Sequence, residues 1–244
     1  MAEFRIRIAG RVAAVSSLFE STRDYCRAYL TEDSPDFSVA VTREDLAFEQ
    51  EDAIREAREE GFRVRIFPEP FLDRAAIQRK VAENLFRWDT LLLHGSTVAV
   101  DGEGYLFAAK SGTGKSTHTR LWREAFGERA VMVNDDKPFL RITGEEILVC
   151  GAPWSGKHGL DTNISVPLKG ICLLERGPEN RIRPAEPGEI VPILRHQGCC
   201  PRGPACRSRY GELIDILAAR TPLWRMECNK DIRAAWVAYE AMSR

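Results

Sequence analysis

The feature that most constrains this chain is residues 109–117, which read Ala-Lys-Ser-Gly-Thr-Gly-Lys-Ser-Thr. The pattern departs from the phosphate-binding loop Gly-x-x-x-x-Gly-Lys-Ser/Thr only at Ala109, where glycine is usual. Apolar residues 105–109 predict a buried strand before the loop, and residues 116–126 predict a helix after it. Phosphates would then face the positive end of a helix dipole. The alternative, a flexible Gly/Ser connection, fits this strand–loop–helix context less well.

The residue types in this loop predict a site for ATP and Mg²⁺. Glycines let backbone N–H groups close around phosphate oxygens, and Lys115 reaches the β- and γ-phosphates. Ser116 is expected to ligate the metal. Because Ala109 carries a Cβ, its φ should be negative. The expected nucleotide-binding residues are Ser111, Gly112, Thr113, Gly114, Lys115, Ser116 and Thr117.

The amino-acid composition indicates which kinds of partner this chain is not expected to bind. The 244 residues carry 35 basic and 36 acidic side chains, so no charge excess favours nucleic acid. No apolar run approaches the length needed to span a membrane, and the N-terminus lacks the apolar core of a signal peptide. Seven scattered cysteines predict reduced thiols rather than a disulfide framework. We therefore expect a cytoplasmic protein without nucleic-acid or membrane partners, and leave homo-oligomerisation open.

Periodicity predicts two parts, a small N-terminal α/β module at 1–88 and a catalytic domain at 89–244. In the first part, strands are expected at 4–15, 37–41 and 62–67, and helices at 18–30, 54–60 and 72–88. The second part is denser in strands. They are predicted at 91–94, 97–100, 105–109, 130–134, 139–142, 147–149, 171–174 and 223–227, with late helices at 208–219 and 231–242. The fold class is therefore α/β (α+β) with a mixed sheet rather than a doubly wound one.

Two adjacent carboxylates end a predicted strand downstream of the loop, in Val131-Met132-Val133-Asn134-Asp135-Asp136. In phosphoryl transfer, one such carboxylate holds Mg²⁺ and another orients the attacking hydroxyl. The alternative is an ordinary Asp-Asp-Lys-Pro turn. Upstream, His94 precedes Gly95-Ser96. Taken alone, this histidine reads as a satisfied core or surface residue.

The ordered set His94-Gly95, Ser111 to Ser116 and Asn134-Asp135-Asp136 resembles the catalytic domain of bacterial HPr kinase/phosphorylase over residues 90–175. The resemblance implies a nucleotide-binding fold of the phosphoenolpyruvate carboxykinase type. It further implies Asp135 as the catalytic base and Lys115 beside the transferring phosphoryl group, with His94 as a partner either of that phosphoryl group or of Asp135. Asp136 would ligate the metal with Ser116, and the two aspartate roles could be exchanged.

The chain also departs from that family. HPr kinases carry an acidic, glycine-rich segment after the aspartate pair, whereas residues 151–159 here read Gly-Ala-Pro-Trp-Ser-Gly-Lys-His-Gly. The reverse, phosphorolytic reaction is therefore not expected. Ser155, Lys157 and His158 are candidate substrate contacts, against the alternative of a glycine turn with a solvated lysine.

Residues 195–207 are predicted to form a loop over the site, with arginines for anionic groups. Cys199, Cys200 and Cys206 lie in this segment beside His196. Their adjacent pair is poorly spaced for zinc, and their role stays open.

Three functions are consistent with these sequence features. The preferred one is an ATP- and Mg²⁺-dependent kinase of a small-molecule hydroxyl, either a polyol such as myo-inositol or free serine. The nearest alternative is a protein or peptide serine kinase of the HPr kinase type. A nucleotide-binding switch is the third.

Overall fold

The computed structural model describes residues 1–59, 61–110, 112–201 and 204–244. The chain divides into two compact units, Met1–Leu85 and Phe86–Arg244, and each is described by itself. In the described part of the chain, no helix combines the length and apolar character needed to cross a lipid bilayer.

The described residues of the N-terminal unit form a three-stranded sheet, three α-helices and a 3-10 turn at Arg27–Tyr29. Strands β1 (Ala2–Ile8) and β2 (Arg11–Ser17) form an antiparallel hairpin, and β3 (Phe37–Ala40) pairs parallel to β2. The helices are α1 (Glu20–Tyr25), α2 (Arg43–Glu59) and α3 (Glu69–Leu85). Side chains of β1 alternate between buried and exposed, so one face of the hairpin packs inward and the other meets solvent.

Two predictions for this unit need correction. Residues 62–67 were expected to form a strand, but in the described structure they join no sheet. The side-chain amide of Gln50 takes the place of a strand partner, donating to the Arg65 carbonyl (3.0 Å) and accepting from the Phe67 N–H (2.8 Å). Helix α2 begins well before the predicted residue 54. Thr42 and Asp45 cap its start reciprocally, because each side chain accepts the other's backbone N–H (2.9 and 3.3 Å).

The C-terminal unit contains a nine-stranded mixed sheet, which confirms the predicted sheet type. Its main path runs β4-β8-β9-β10-β6-β5-β7, and β12 pairs with both β10 and β11. Strand β10 pairs antiparallel with β9 but parallel with β6 and β12. The strands are β4 (Thr90–Leu92), β5 (Ser96–Val100), β6 (Glu103–Ala108), β7 (Ala130–Asn134), β8 (Phe139–Ile142), β9 (Ile147–Cys150), β10 (Ser165–Arg176), β11 (Arg181–Pro184) and β12 (Leu223–Cys228).

Helices cover both faces of this sheet around the central strand β6. Tyr105 and Phe107 pack in one core with side chains of α4 (Lys115–Phe126) and α7 (Arg233–Met242). Leu106 and Ala108 point the other way, into a core with α5 (Pro187–Gln197) and α6 (Pro204–Arg220). Burial on both faces explains why β6 reads as a continuous apolar run. The chain therefore leaves β6 at Ala109 between two helical layers.

Helix α5 and strand β11 were not predicted. Pro187 lies in the first turn of α5 and Pro192 lies inside it, and both weaken a helical pattern in sequence. A capping box between Glu186 and Glu189 marks the start of the helix. As a result, Arg195 to Gln197 end a helix instead of forming part of a loop.

Candidate active site

The connection between β6 and α4 is the candidate phosphate loop, residues 109–114. Gly112 (φ 75°) and Gly114 (φ 123°) adopt backbone conformations that suit glycine. The described non-glycine residues with positive φ do not include Ala109. This agrees with the negative φ expected for a residue that carries a Cβ. Ser111, one of the predicted nucleotide-binding residues, lies outside the described part of the chain.

Lys115 begins α4 and is only 9% exposed. Its Nζ donates to the carbonyl of Ala109 at 3.3 Å, and in the described structure it forms no ion pair within 4.0 Å. Burial lowers the pKa of Lys115, while the charges of Asp136 and then Asp135 partly oppose that shift. A buried ammonium group with one neutral partner is costly, so this position is suited to binding an anion.

Two side chains from distant elements hold the carbonyl groups of the loop. The guanidinium of Arg176, at the end of β10, donates through Nε to the Thr113 carbonyl (3.1 Å) and through Nη2 to the Gly112 carbonyl. Gln197, at the end of α5, donates from Nε2 to the Ala109 carbonyl at 2.6 Å. Hydrogen bonds from the side chains of Arg176 and Gln197 to backbone carbonyls thus hold the loop in its conformation. Neither residue was among the predicted site residues.

Asp135 and Asp136 follow β7 and have different surroundings. Asp135 is 6% exposed, and its Oδ1 accepts from the Ser96 hydroxyl at 2.7 Å. Ser96 lies 2.9 Å from the Thr119 hydroxyl of α4, which in turn contacts the carbonyl of Ser116. Asp135 is therefore linked through β5 to the first turn of α4, where Ser116 and Thr117 lie partly exposed.

Asp136 lies beside His94, with 3.4 Å between its Oδ1 and the imidazole Nε2. The two side chains are 34% and 40% exposed, so this pair is the more accessible part of the site. Partial burial, and then the positive charge of Lys115, lower the pKa of His94 to about 4, although Asp136 opposes the shift. His94 is accordingly neutral at pH 7.

Asn134 sets the direction in which the aspartates leave β7. Its Oδ1 accepts the backbone N–H groups of Asp136 (2.9 Å) and Lys137 (2.6 Å), while its Nδ2 donates to the Ala152 carbonyl (2.8 Å). An asparagine that bonds to the backbone ahead of it forms an Asx turn. The predicted Asn-Asp-Asp motif therefore includes a residue with a geometric role of its own.

The predicted substrate residues lie in a turn that contacts Asp136 through Gly156. Gly156 adopts φ 71°, and a Cβ placed there would lie 3.1 Å from the Cβ of Asp136. Lys157 and His158 follow in the same short 3-10 turn and are exposed. Ser155 differs from the prediction. It is 1% exposed, and its hydroxyl donates to Asp161 at 2.5 Å, so it supports the turn from inside.

The predicted loop over the site at 195–207 needs correction at both ends, because residues 195–197 belong to α5 and residues 204–207 to α6. Arg195 bonds to both carboxylate oxygens of Asp215 (2.8 and 3.0 Å), and residues from Pro204 onward belong to α6. Arg202 and Gly203 lie outside the described residues. Within the described ranges, no group of three or more His, Cys, Asp or Glu side chains is placed to hold a metal ion.

No protein-family model and no curated protein matches this chain. Among solved structures, it is similar to one described as the HPr(Ser) kinase/phosphatase from Coxiella burnetii. The two are 10% identical, and the match covers 62% of this chain and 95% of the other, with a TM-score of 0.36.

Proposed function

We propose that this chain is an ATP- and Mg²⁺-dependent kinase that transfers the γ-phosphoryl group to a hydroxyl. The observation that carries the proposal is Lys115, a buried ammonium group at a helix N-terminus with a single carbonyl partner. It lies between a glycine-containing loop and two aspartates. A phosphate group would satisfy its remaining donors, since lysine carries three.

The donor half of the site comprises the candidate phosphate loop and the start of α4. The fixed carbonyl groups of Gly112 and Thr113 favour a loop that is already shaped before nucleotide binds, which reduces the entropic cost of binding. Ser116 and Asp135 are suited to hold Mg²⁺, because Ser116 lies in the first turn of α4 and Asp135 is linked to that turn through Ser96 and Thr119. When bound, the ion would neutralise charge on the β- and γ-phosphates.

Asp136 is the better candidate for the base that receives the proton of the acceptor hydroxyl. The sequence favoured Asp135 as the base and Asp136 as the metal ligand, but it left open that the two roles are exchanged. The geometry favours the exchange, because Asp135 is buried against Ser96 whereas Asp136 is accessible beside His94. A neutral His94 can donate a hydrogen bond to Asp136 or to a phosphoryl oxygen without adding charge.

The acceptor proposed is a small molecule, a polyol such as myo-inositol or free serine. Asp136 has both His94 and the Gly156 turn as near neighbours, an arrangement that favours a compact acceptor. The exposed side chains of Lys157 and His158 would bind its polar groups. A peptide serine kinase and a nucleotide switch are the alternatives that experiment must separate from this one.

A screen of hydroxyl compounds and serine peptides for acceptor-dependent ADP formation tests the proposal. We expect a small hydroxyl compound to raise the rate. We also expect Lys115→Ala to lower turnover by at least about 100-fold, the scale of losing a preorganised charge at a transition state. Lys169→Ala is the matched control, because Lys169 pairs with Glu103 at the opposite end of β6. A rate that only peptides raise would favour the peptide kinase. Nucleotide binding with no acceptor effect would favour the switch.

A further inference from the structure

We propose that Gln197 is a positioning residue that keeps the Ala109 carbonyl bonded and thereby releases Lys115 to bind phosphate. This inference rests on the proposed kinase function, because it assigns a role within the same nucleotide site. Gln197 itself contacts the loop and no reacting atom is assigned to it.

The backbone holds Gln197 between the two halves of the site. Its carbonyl accepts the N–H of His94 at 2.8 Å, and the next residues pair with the end of β4 and the residue after it, through a Cys199 N–H to Leu92 carbonyl bond of 2.9 Å and a Leu93–Gly198 bridge. The end of α5 is thus tied to the segment that carries His94. From this fixed backbone, the side chain of Gln197 extends to the candidate phosphate loop.

Two donors share the carbonyl oxygen of Ala109. Gln197 Nε2 lies 2.6 Å from it and Lys115 Nζ lies 3.3 Å from it, so the amide makes the shorter bond. Ala109 is fully buried, which means that water cannot replace a lost donor. The Oε1 atom of Gln197 is buried and has no hydrogen-bond partner among the described residues, so only the donor end of the amide is committed.

These contacts give Gln197 a specific consequence for nucleotide binding. A carbonyl oxygen has two lone pairs, and both are occupied while Lys115 rests against Ala109. When Lys115 moves to a phosphate, Gln197 keeps the carbonyl bonded. Without Gln197 that movement would leave the buried Ala109 carbonyl without a hydrogen bond. The free-energy cost of this unpaired acceptor would weaken the binding of any ligand that draws Lys115 away.

The test compares ligands that reach Lys115 with one that does not. In Gln197→Met, the affinity for ATP should fall about tenfold, the scale of one buried acceptor left unpaired. The affinity for AMP should change less than about twofold, because the lysine of such loops reaches the β- and γ-phosphates only. Gln197→Asn, whose shorter amide cannot reach the carbonyl, should show the same ATP-specific loss. Both are measured by calorimetric titration, with thermal unfolding to verify folding.

Gln78→Met is the matched control, because Gln78 is a buried glutamine of α3 in the N-terminal unit. A double-mutant cycle completes the test. In a Lys115→Ala background, Gln197→Met should change ATP affinity less than about twofold, since no lysine remains to be released.

Three results would overturn the inference. The first is unchanged ATP affinity in Gln197→Met. The second is an equal loss for AMP and ATP, which would assign Gln197 to general support of the loop. The third is full additivity with Lys115→Ala. If the wild-type chain binds no ATP, the proposed function falls and this inference falls with it. If the wild type binds ATP and one of the three results is found, only this inference falls.

Discussion

We predict that the buried imidazole of His118 makes the folded chain less stable in acid. It lies in α4 three residues after Lys115, is 2% exposed, and accepts a hydrogen bond from Trp122 Nε1 at 3.0 Å on its Nε2. The proton of this neutral ring therefore belongs on Nδ1, which has no partner in the described structure. Burial lowers the pKa of His118 from 6.5 to about 3. The folded chain thus holds this residue neutral throughout the physiological range.

The direction and size of the effect follow from proton linkage. The unfolded chain binds a proton at His118 below about pH 6.5, while the folded chain does not until about pH 3, so stability falls as pH falls through that window. Between pH 7 and pH 4 the shift spans roughly 2.5 pH units, which at about 1.4 kcal/mol per unit gives a loss of about 3 kcal/mol from His118. Such a loss is a large share of the stability of an ordinary domain.

His118→Gln removes the titration while keeping an acceptor for Trp122. We expect wild type to lose about 3 kcal/mol more than this variant when urea unfolding is compared at pH 7 and pH 4. All five tryptophans lie in the C-terminal unit, so their fluorescence follows the unit that contains the site. His196→Gln, at an exposed position of α5, is the matched control and should behave as wild type. Equal acid losses in wild type and His118→Gln would refute this reasoning.

Two further predictions concern the loops around the site. Gly156→Ala places a Cβ at positive φ and 3.1 Å from the Asp136 Cβ, so we expect turnover to fall at least about tenfold with ATP affinity nearly unchanged. Gly144→Ala, in a turn where a Cβ meets nothing within 4 Å, is its control, and steady-state kinetics with a parallel ATP titration decide the matter. Arg176→Gln removes the donors on the Gly112 and Thr113 carbonyls and should weaken AMP and ATP alike by about fivefold, unlike the loss predicted for Gln197. The exposed Arg233→Gln serves as control, and a loss confined to ATP would contradict the role given to Arg176.

The parts of the site that were predictable lie close together in the chain. The glycines and Lys115 lie in one strand–loop–helix segment, and the Asn134 to Asp136 motif follows one apolar strand, so local pattern is sufficient to find them. The mixed sheet was also predictable, because strands crowd this half of the chain and turns such as Asp101-Gly102 separate neighbours, as in the β5–β6 hairpin.

The remaining parts depend on pairing that no local pattern encodes. Arg176 and Gln197 reach the candidate phosphate loop from 63 and 88 residues away, through the register of β10 and the end of α5. Helix α5 was not predicted because its two prolines, Pro187 and Pro192, weaken a helical pattern in the sequence. Ser155 was predicted as a substrate contact because residues 154–158 lie where the acceptor is expected, whereas its bond to Asp161 keeps its side chain buried. Residues 62–67 alternate as a strand does, but a glutamine of α2 occupies their backbone groups.

Transfer of label from γ-labelled ATP tests the central claim most directly, because it separates transfer to an acceptor from hydrolysis. With Mg²⁺ and the acceptor that stimulates ADP formation, wild type should place the label on the acceptor. Asp136→Asn should bind ATP normally yet transfer at least about 100-fold more slowly. Label appearing only as inorganic phosphate in wild type, or full transfer by a folded Asp136→Asn variant, would contradict the account.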